Sequence, residues 1–189
     1  MKIKNLKLLK DGYEGIQINH IETTQKGGVS YDVYRSDKYT HPITVELENS
    51  MDLLKVHLLK LVRCWPSNWD LAINIEDLTL DLESTDVDVN ITEIVGLLND
   101  LLITTVTYDG EKFSLTGRLK SVDNRNINFS TGAVSPETDY EYYRLAKQQI
   151  EEVYVSAANY VVEEPIKTLA NSNGYVESSS TDVPFFDLT

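Results

Sequence analysis

Apolar and polar residues alternate along the first part of the chain. Residues 2–10 and 13–23 read as two strands, with Asp11-Gly12 between them as a two-residue hairpin turn. Ile16 and Ile18 alternate with Gln17 and Asn19, which predicts one buried face. Lys26-Gly27-Gly28 marks the next turn, and Val29, Tyr31 and Val33 alternate as a third strand. After Pro42 the period lengthens. Leu47, Met51, Leu54, Leu58 and Leu61 are spaced four and three apart, which predicts a helix over about 44–64 with one stripe on a core. Trp65-Pro66 ends it, because a residue before proline avoids the helical region.

Alternation resumes over 71–83 but changes phase, from Leu71, Ile73 and Ile75 to Leu78, Leu80 and Leu82. That predicts a strand with a bulge or bend near Glu76-Asp77. Asn90 and Glu93 have the spacing of a capping box for a short helix over about 91–102, with Ile94, Val95 and Leu98 on its apolar side. Asp109-Gly110 is a second hairpin turn, with arms over 103–108 and 112–120 and Phe113, Leu115 and Leu119 facing inward. A turn at Asp123-Asn124 leads to a strand holding Ile127 and Phe129. Ser135-Pro136-Glu137 combines a serine cap, a proline at the first helical position and an acid near the positive helix end. It predicts a helix from there to about Val162, before Pro165. No repeat of fixed period appears. The expected fold is α+β: an antiparallel sheet of about six strands covered by two or three helices, OB-like or half-clamp-like.

Beyond 164 the periodicity stops. Asn171-Ser172-Asn173-Gly174 and Ser178-Ser179-Ser180-Thr181 hold little that could offset chain entropy. Residues 1–164 therefore read as one domain and 165–189 as a flexible polar tail. Near its end stand Asp182, Val183, Pro184, Phe185, Phe186 and Leu188. Apolar residues on a charged tether fit a pocket supplied by a protein partner. They equally fit a fold-back onto the domain or onto a sister subunit.

Charge narrows the partners. The net charge of -13 opposes non-specific binding to nucleic acid. It suits solubility, a basic protein surface, or an acidic inhibitor of a host defence protein that mimics DNA. Lys2, Lys4, Lys7 and Lys10 lie close together and leave room for a local cationic face. The single cysteine, Cys64, forms no disulfide framework and suits a reducing compartment. No apolar run approaches the ~18 residues of a membrane span, and Lys7, Lys10 and Asp11 break up a signal peptide. A cytoplasmic protein with no membrane contact is expected.

Candidate chemistry is sparse. His20, His41 and His57 share no metal-ligand spacing. Cys64 has no base signalled beside it and reads as a core thiol. Asp86-Val87-Asp88 opens like a calcium loop, but Ile91 and Leu97 stand where glycine and glutamate are needed. Gly27-Gly28 lacks the Lys-Ser/Thr of a phosphate loop. No catalytic set, metal site or cofactor is expected. Trp65 and Trp69 flank Pro66, and Tyr31 and Tyr34 lie beside Arg35 and Lys38. Such aromatics can stack single-stranded DNA bases, or simply be good strand and packing residues.

Asp182-Val183-Pro184-Phe185 is similar to the acidic-Pro-Phe tip of bacterial single-stranded DNA-binding proteins, which recruits replication and repair enzymes. Phe185-Phe186-Asp187-Leu188 resembles sliding-clamp-binding peptides, without their usual glutamine. The strand-rich start, the helix bearing His57, Asp77-Leu78-Thr79-Leu80, the run Phe113–Lys120 and Ile127-Asn128-Phe129 resemble a group of uncharacterised tailed-bacteriophage proteins. Members of that group often end in a clamp-binding-like peptide, and 84–102 looks like an insertion against it. The resemblance implies a non-enzymatic accessory protein of phage DNA replication or recombination, acting through protein contacts in the infected cell. A single-stranded DNA binder is the alternative, and a homo-oligomer is compatible with either.

Overall fold

The structure is a computed structural model that describes residues 1–9, 13–80, 90–120, 123 and 125–173, with side chains as far as Val162. Two antiparallel meanders make the sheet. The first is β1 (Lys2–Leu8), β2 (Ile16–Lys26) and β3 (Val29–Tyr39). The second is β4 (Leu101–Tyr108), β5 (Phe113–Lys120) and β6 (Asn126–Ser130). β1 pairs antiparallel with β4, which gives one six-stranded sheet in the order β3-β2-β1-β4-β5-β6. The fold is thus the expected α+β one, and the order is compatible with both topologies named above. The Gly27-Gly28 turn holds both glycines at positive φ, 61° and 79°, as a tight hairpin requires. The expected Asp11-Gly12 and Asp123-Asn124 turns and the acidic stretch at Asp86 and Asp88 lie wholly or partly outside the described residues.

Each meander is followed by a long helix, α1 (Val45–Leu61) after β3 and α3 (Tyr143–Asn173) after β6. A short helix, α2 (Ile91–Asp100), precedes β4. Thr44 caps α1 through Leu47 N, and Asn90 caps α2 through Glu93 N. The two βββα units repeat one another in detail. Both first strands carry a bulge, between Ile3 and Asn5 in β1 and between Ile103 and Thr105 in β4. Burial follows the same order along both: Ile3, Leu6 and Leu8 inward in one, Ile103, Val106 and Tyr108 in the other. Equivalent backbone bonds close the two hairpins, Leu9 N to Gly15 O at 3.0 Å and Asp109 N to Lys112 O at 3.1 Å. At the seam, Leu6 opposes its own counterpart Val106, with Asn5 opposite Thr107 and Lys7 opposite Thr105. A pseudo-two-fold axis therefore passes through the β1–β4 pair.

The helices cover one face of the sheet. Leu47, Met51, Leu54 and Leu58 of α1 and Ala146, Ile150, Val153 and Ala157 of α3 are fully buried against Leu6, Ile16, Ile18, Ile103, Val106 and Leu115. Full burial of each Leu or Ile is worth ~1.5–3 kcal/mol, so this face supplies most of the driving force. Tyr154 of α3 sits over the seam, its hydroxyl shared between Lys4 O at 3.0 Å and Val106 O at 3.3 Å. α2 is tied down by Lys55, whose ammonium donates to Leu98 O at 2.9 Å and pairs with Asp52 at 2.9 Å. Asp52 also accepts the Tyr13 hydroxyl. At Gly117 the chain has no room for a side chain, because a Cβ there would overlap Leu58 Cδ2.

Three expectations are corrected. Of the strand expected over 71–83, residues 71–80 are described and are not a strand: Ser67–Leu71 is a 3-10 turn, and Ile73 and Leu80 form an isolated bridge. The buried alternation of Ile73 and Ile75 tucks a loop under α3 instead of joining a ladder. Ser135 does not start α3. Its backbone N–H and carbonyl close a turn with Thr138, and the helix begins at Tyr143. α3 also passes Pro165 and runs to Asn173. Proline removes one hydrogen bond and crowds one carbonyl, costs that a 31-residue helix absorbs. Gly117→Ala is expected to cost about 1–3 kcal/mol in denaturant unfolding, and clearly less in a Leu58→Ala background. Equal costs in both backgrounds would contradict the close approach of α1 to β5.

Candidate functional site

The described polar chemistry falls into an enclosed cluster and an open face. The cluster centres on His57, which lies on the inner side of α1 and is fully buried. The Gln149 amide donates to the carbonyls of Ile75 and Glu76, at 3.4 and 3.2 Å. Its oxygen is then left to accept His57 Nε2–H at 2.9 Å. That fixes the tautomer, so Nδ1 accepts the Tyr140 hydroxyl at 2.6 Å. Every polar atom of the imidazole is used. The cluster ties α1, α3, the 72–80 loop and the 135–142 turn together, and burial pushes the Tyr140 hydroxyl well above the ordinary tyrosine range. A neighbouring cleft of about 440 Å³ is lined by Asp70, Asn74, Glu76, Glu141 and Arg144. His57, wholly buried, offers it no base.

The four aromatic residues singled out above do not gather at one site. Trp65 and Trp69 meet edge to face, with centroids 5.1 Å apart, and are only 9% and 7% exposed. Trp65 donates to Asp70 at 2.7 Å, and Asp70 pairs with Lys60 at 2.6 Å. Their rings serve packing in this fold. Tyr31 and Tyr34 are three residues apart on β3 and so point to opposite faces of the sheet. Tyr34 is 79% exposed. Cys64 is exposed, not a core thiol. Asp182, Val183, Pro184, Phe185, Phe186 and Leu188 lie outside the described residues. Among the described residues no group of His, Cys, Asp and Glu could hold a metal ion, and no helix is long and apolar enough to cross a membrane.

The face of the sheet turned away from the helices is polar. Residues opposed in an antiparallel ladder share a face, so the register assigns it. One row across all six strands reads Lys38, Gln17, Lys7, Thr105, Thr116, Ser130. The next reads Ser36, Asn19, Asn5, Thr107, Ser114. None of these side chains is buried. Their amides and hydroxyls form a hydrogen-bonded ladder. Gln17 donates to Ser36 at 2.8 Å and to Asn19 at 3.4 Å, Asn19 to Asn5 at 3.3 Å, and Asn5 to Thr107 at 2.7 Å. The ladder stiffens a surface that no described helix covers. The polar phase of strands 1 and 2 is readable from sequence; that it joins that of strands 4 and 5 in one plane is not.

No family model, no curated protein and no solved structure matches the chain.

Burial lowers the His57 pKa to about 4, with the Lys60 charge adding to the fall and the Gln149 bond opposing it. The unfolded chain takes up this proton near 6.5, so acid favours unfolding. The contribution is whole above pH 6.5 and is lost as pH falls to about 4, to a total of about 3 kcal/mol. Urea unfolding between these limits should show this loss in the native protein and lack it in His57→Gln. Identical pH profiles for the two would contradict it.

Proposed function

We propose that the chain is a non-enzymatic accessory protein of bacteriophage DNA replication or recombination, and that it docks a protein partner through the peptide Asp182–Leu188. The peptide's composition carries the reading. Two phenylalanines, a proline, a valine and a leucine stand among acidic residues, directly after the polar run Ser178–Thr181. A short aromatic peptide of this kind binds weakly by itself and gains from the local concentration that an attached domain provides. Its similarity to the tips of bacterial single-stranded DNA-binding proteins names the class of partner: enzymes that process DNA. The closed His57 cluster and the packed tryptophans add support, since these groups are occupied in holding the domain together.

The aromatic anchors should dominate the energy, as buried aromatics do at other interfaces. Phe185→Ala with Phe186→Ala is expected to reduce recovery of partners from infected-cell lysate at least tenfold, with the proteins lost being DNA replication or repair enzymes. Thermal unfolding of the domain should be unchanged. Unaltered recovery of the same partners would defeat the reading.

A further inference from the structure

The open sheet face carries the opposite charge to the chain as a whole. With 30 acidic and 17 basic residues, the protein is strongly anionic. Yet the register puts Lys2, Lys7, Lys38, Arg118 and Lys120 on the open face, against Asp32 as its strand carboxylate. Asp32 is itself engaged by the Thr23 hydroxyl at 2.8 Å. Lys2, Lys7, Lys38 and Lys120 form no ion pair among the described residues. The basic residues lie in a line. At ~4.8 Å between strands and ~3.4 Å between residues, Lys38 and Lys7 are about 10 Å apart at the backbone, Lys7 and Arg118 about 12 Å, and Arg118 and Lys120 about 7 Å. The line starts at the β3 edge, crosses to β1 in one row and slants on to β5, beside the amide and hydroxyl ladder.

We propose that this face binds single-stranded nucleic acid, with the basic line on the phosphates and Tyr34 stacked on a base. Charge complementarity supplies the first part, since phosphate neutralisation by Lys and Arg dominates such affinities. Tyr34 supplies the second. Its ring is 79% exposed on the same face, four residues from Lys38 along β3. A hollow of about 350 Å³ borders the ring, lined by Asn19 and Ser36 of this face and by Lys4, His20 and Arg35, the last two from positions whose register faces the other side. Unpaired bases stack on aromatic rings and bond to amides along their edges, and only a single strand offers them. A duplex would need an element that enters a groove, and the sheet face presents none among the described residues. This face is separate in sequence from the peptide Asp182–Leu188, and binding there does not depend on that peptide.

The test is a fluorescence-anisotropy titration of a labelled oligothymidylate of about 16 nucleotides with the full chain, over a salt series. With three or four phosphates neutralised, log K should fall against log salt with a slope of about -2 to -3. Lys7→Gln with Arg118→Gln should make that slope shallower by about 1.4. Tyr34→Ala should weaken binding about tenfold and leave the slope alone. Arg144→Gln with Lys147→Gln, the same charge change on α3, should leave the slope alone too. If the first pair lowers the melting temperature, Lys38→Gln with Lys120→Gln, both at exposed positions, gives the same reading. No binding at the lowest salt, or an equal slope change from the α3 pair, would overturn the proposal. So would a synthetic peptide of residues 177–189 occupying the face where the oligonucleotide does not, since the face would then be a seat for an acidic peptide.

Discussion

Two βββα units meet at one short seam, and the remaining geometry follows from it. β1 and β4 pair only from Asn5 to Lys7, on the side of each strand that its own hairpin leaves unpaired. A pairing this short is weak taken alone, since each backbone hydrogen bond nets only about 1 kcal/mol. It is held from above. α1 and α3 pack side by side over the seam, and Tyr154 reaches down to carbonyls on both central strands. Matching bulges at Lys4 and Thr104 turn both strands so that Ile3 and Leu6, or Ile103 and Val106, face the same helix layer. With both helices on one side, no described helix covers the other side of the six strands. The open face is thus a consequence of how the halves are joined.

Departures from the two-fold repeat are where polar chemistry collects. The second unit places Gly117 where the first has His20, and that glycine lets α1 press onto β5. Residues 62–80 and α2, which lie between the units, have no counterpart after α3 in the described chain. They bring the Trp65–Asp70–Lys60 group and the Ile75 and Glu76 carbonyls that orient Gln149. A buried neutral histidine with both nitrogens bonded then costs little at neutral pH and locks several loops at once. Lys2, Lys7, Lys38 and Lys120 on the open face form no ion pair among the described residues, which is why they invite a ligand.

Strands half-buried in an antiparallel sheet alternate cleanly, so all six were legible from the sequence, as was α1 from the four-and-three spacing of Leu47 to Leu61. The misreadings have physical causes. Ile73 and Ile75 alternate like a strand because a buried loop also needs an apolar side. Ser135-Pro136-Glu137 is good helix-start chemistry, yet serine and threonine close turns by the same bonds, and here they do. The internal repeat is invisible at the level of residue identity, because Leu6 matches Val106, Leu8 matches Tyr108 and Asn5 matches Thr105 only in burial and direction. Of the aromatic residues, the opposite facing of Tyr31 and Tyr34 follows from their odd spacing. Trp65 and Trp69 are buried against each other, with Asp70 taking the Trp65 N–H, and a spacing of four and one proline does not announce that.

Joined at the β1–β4 seam under a shared helix cover, the two units should open as one cooperative body. Native-state hydrogen exchange of the full chain tests it most directly. The slowest amides of β1, β2, β4, β5, α1 and α3 are expected to share a single opening free energy equal to that of global unfolding. Two separate plateaus, one for each βββα unit, would contradict it.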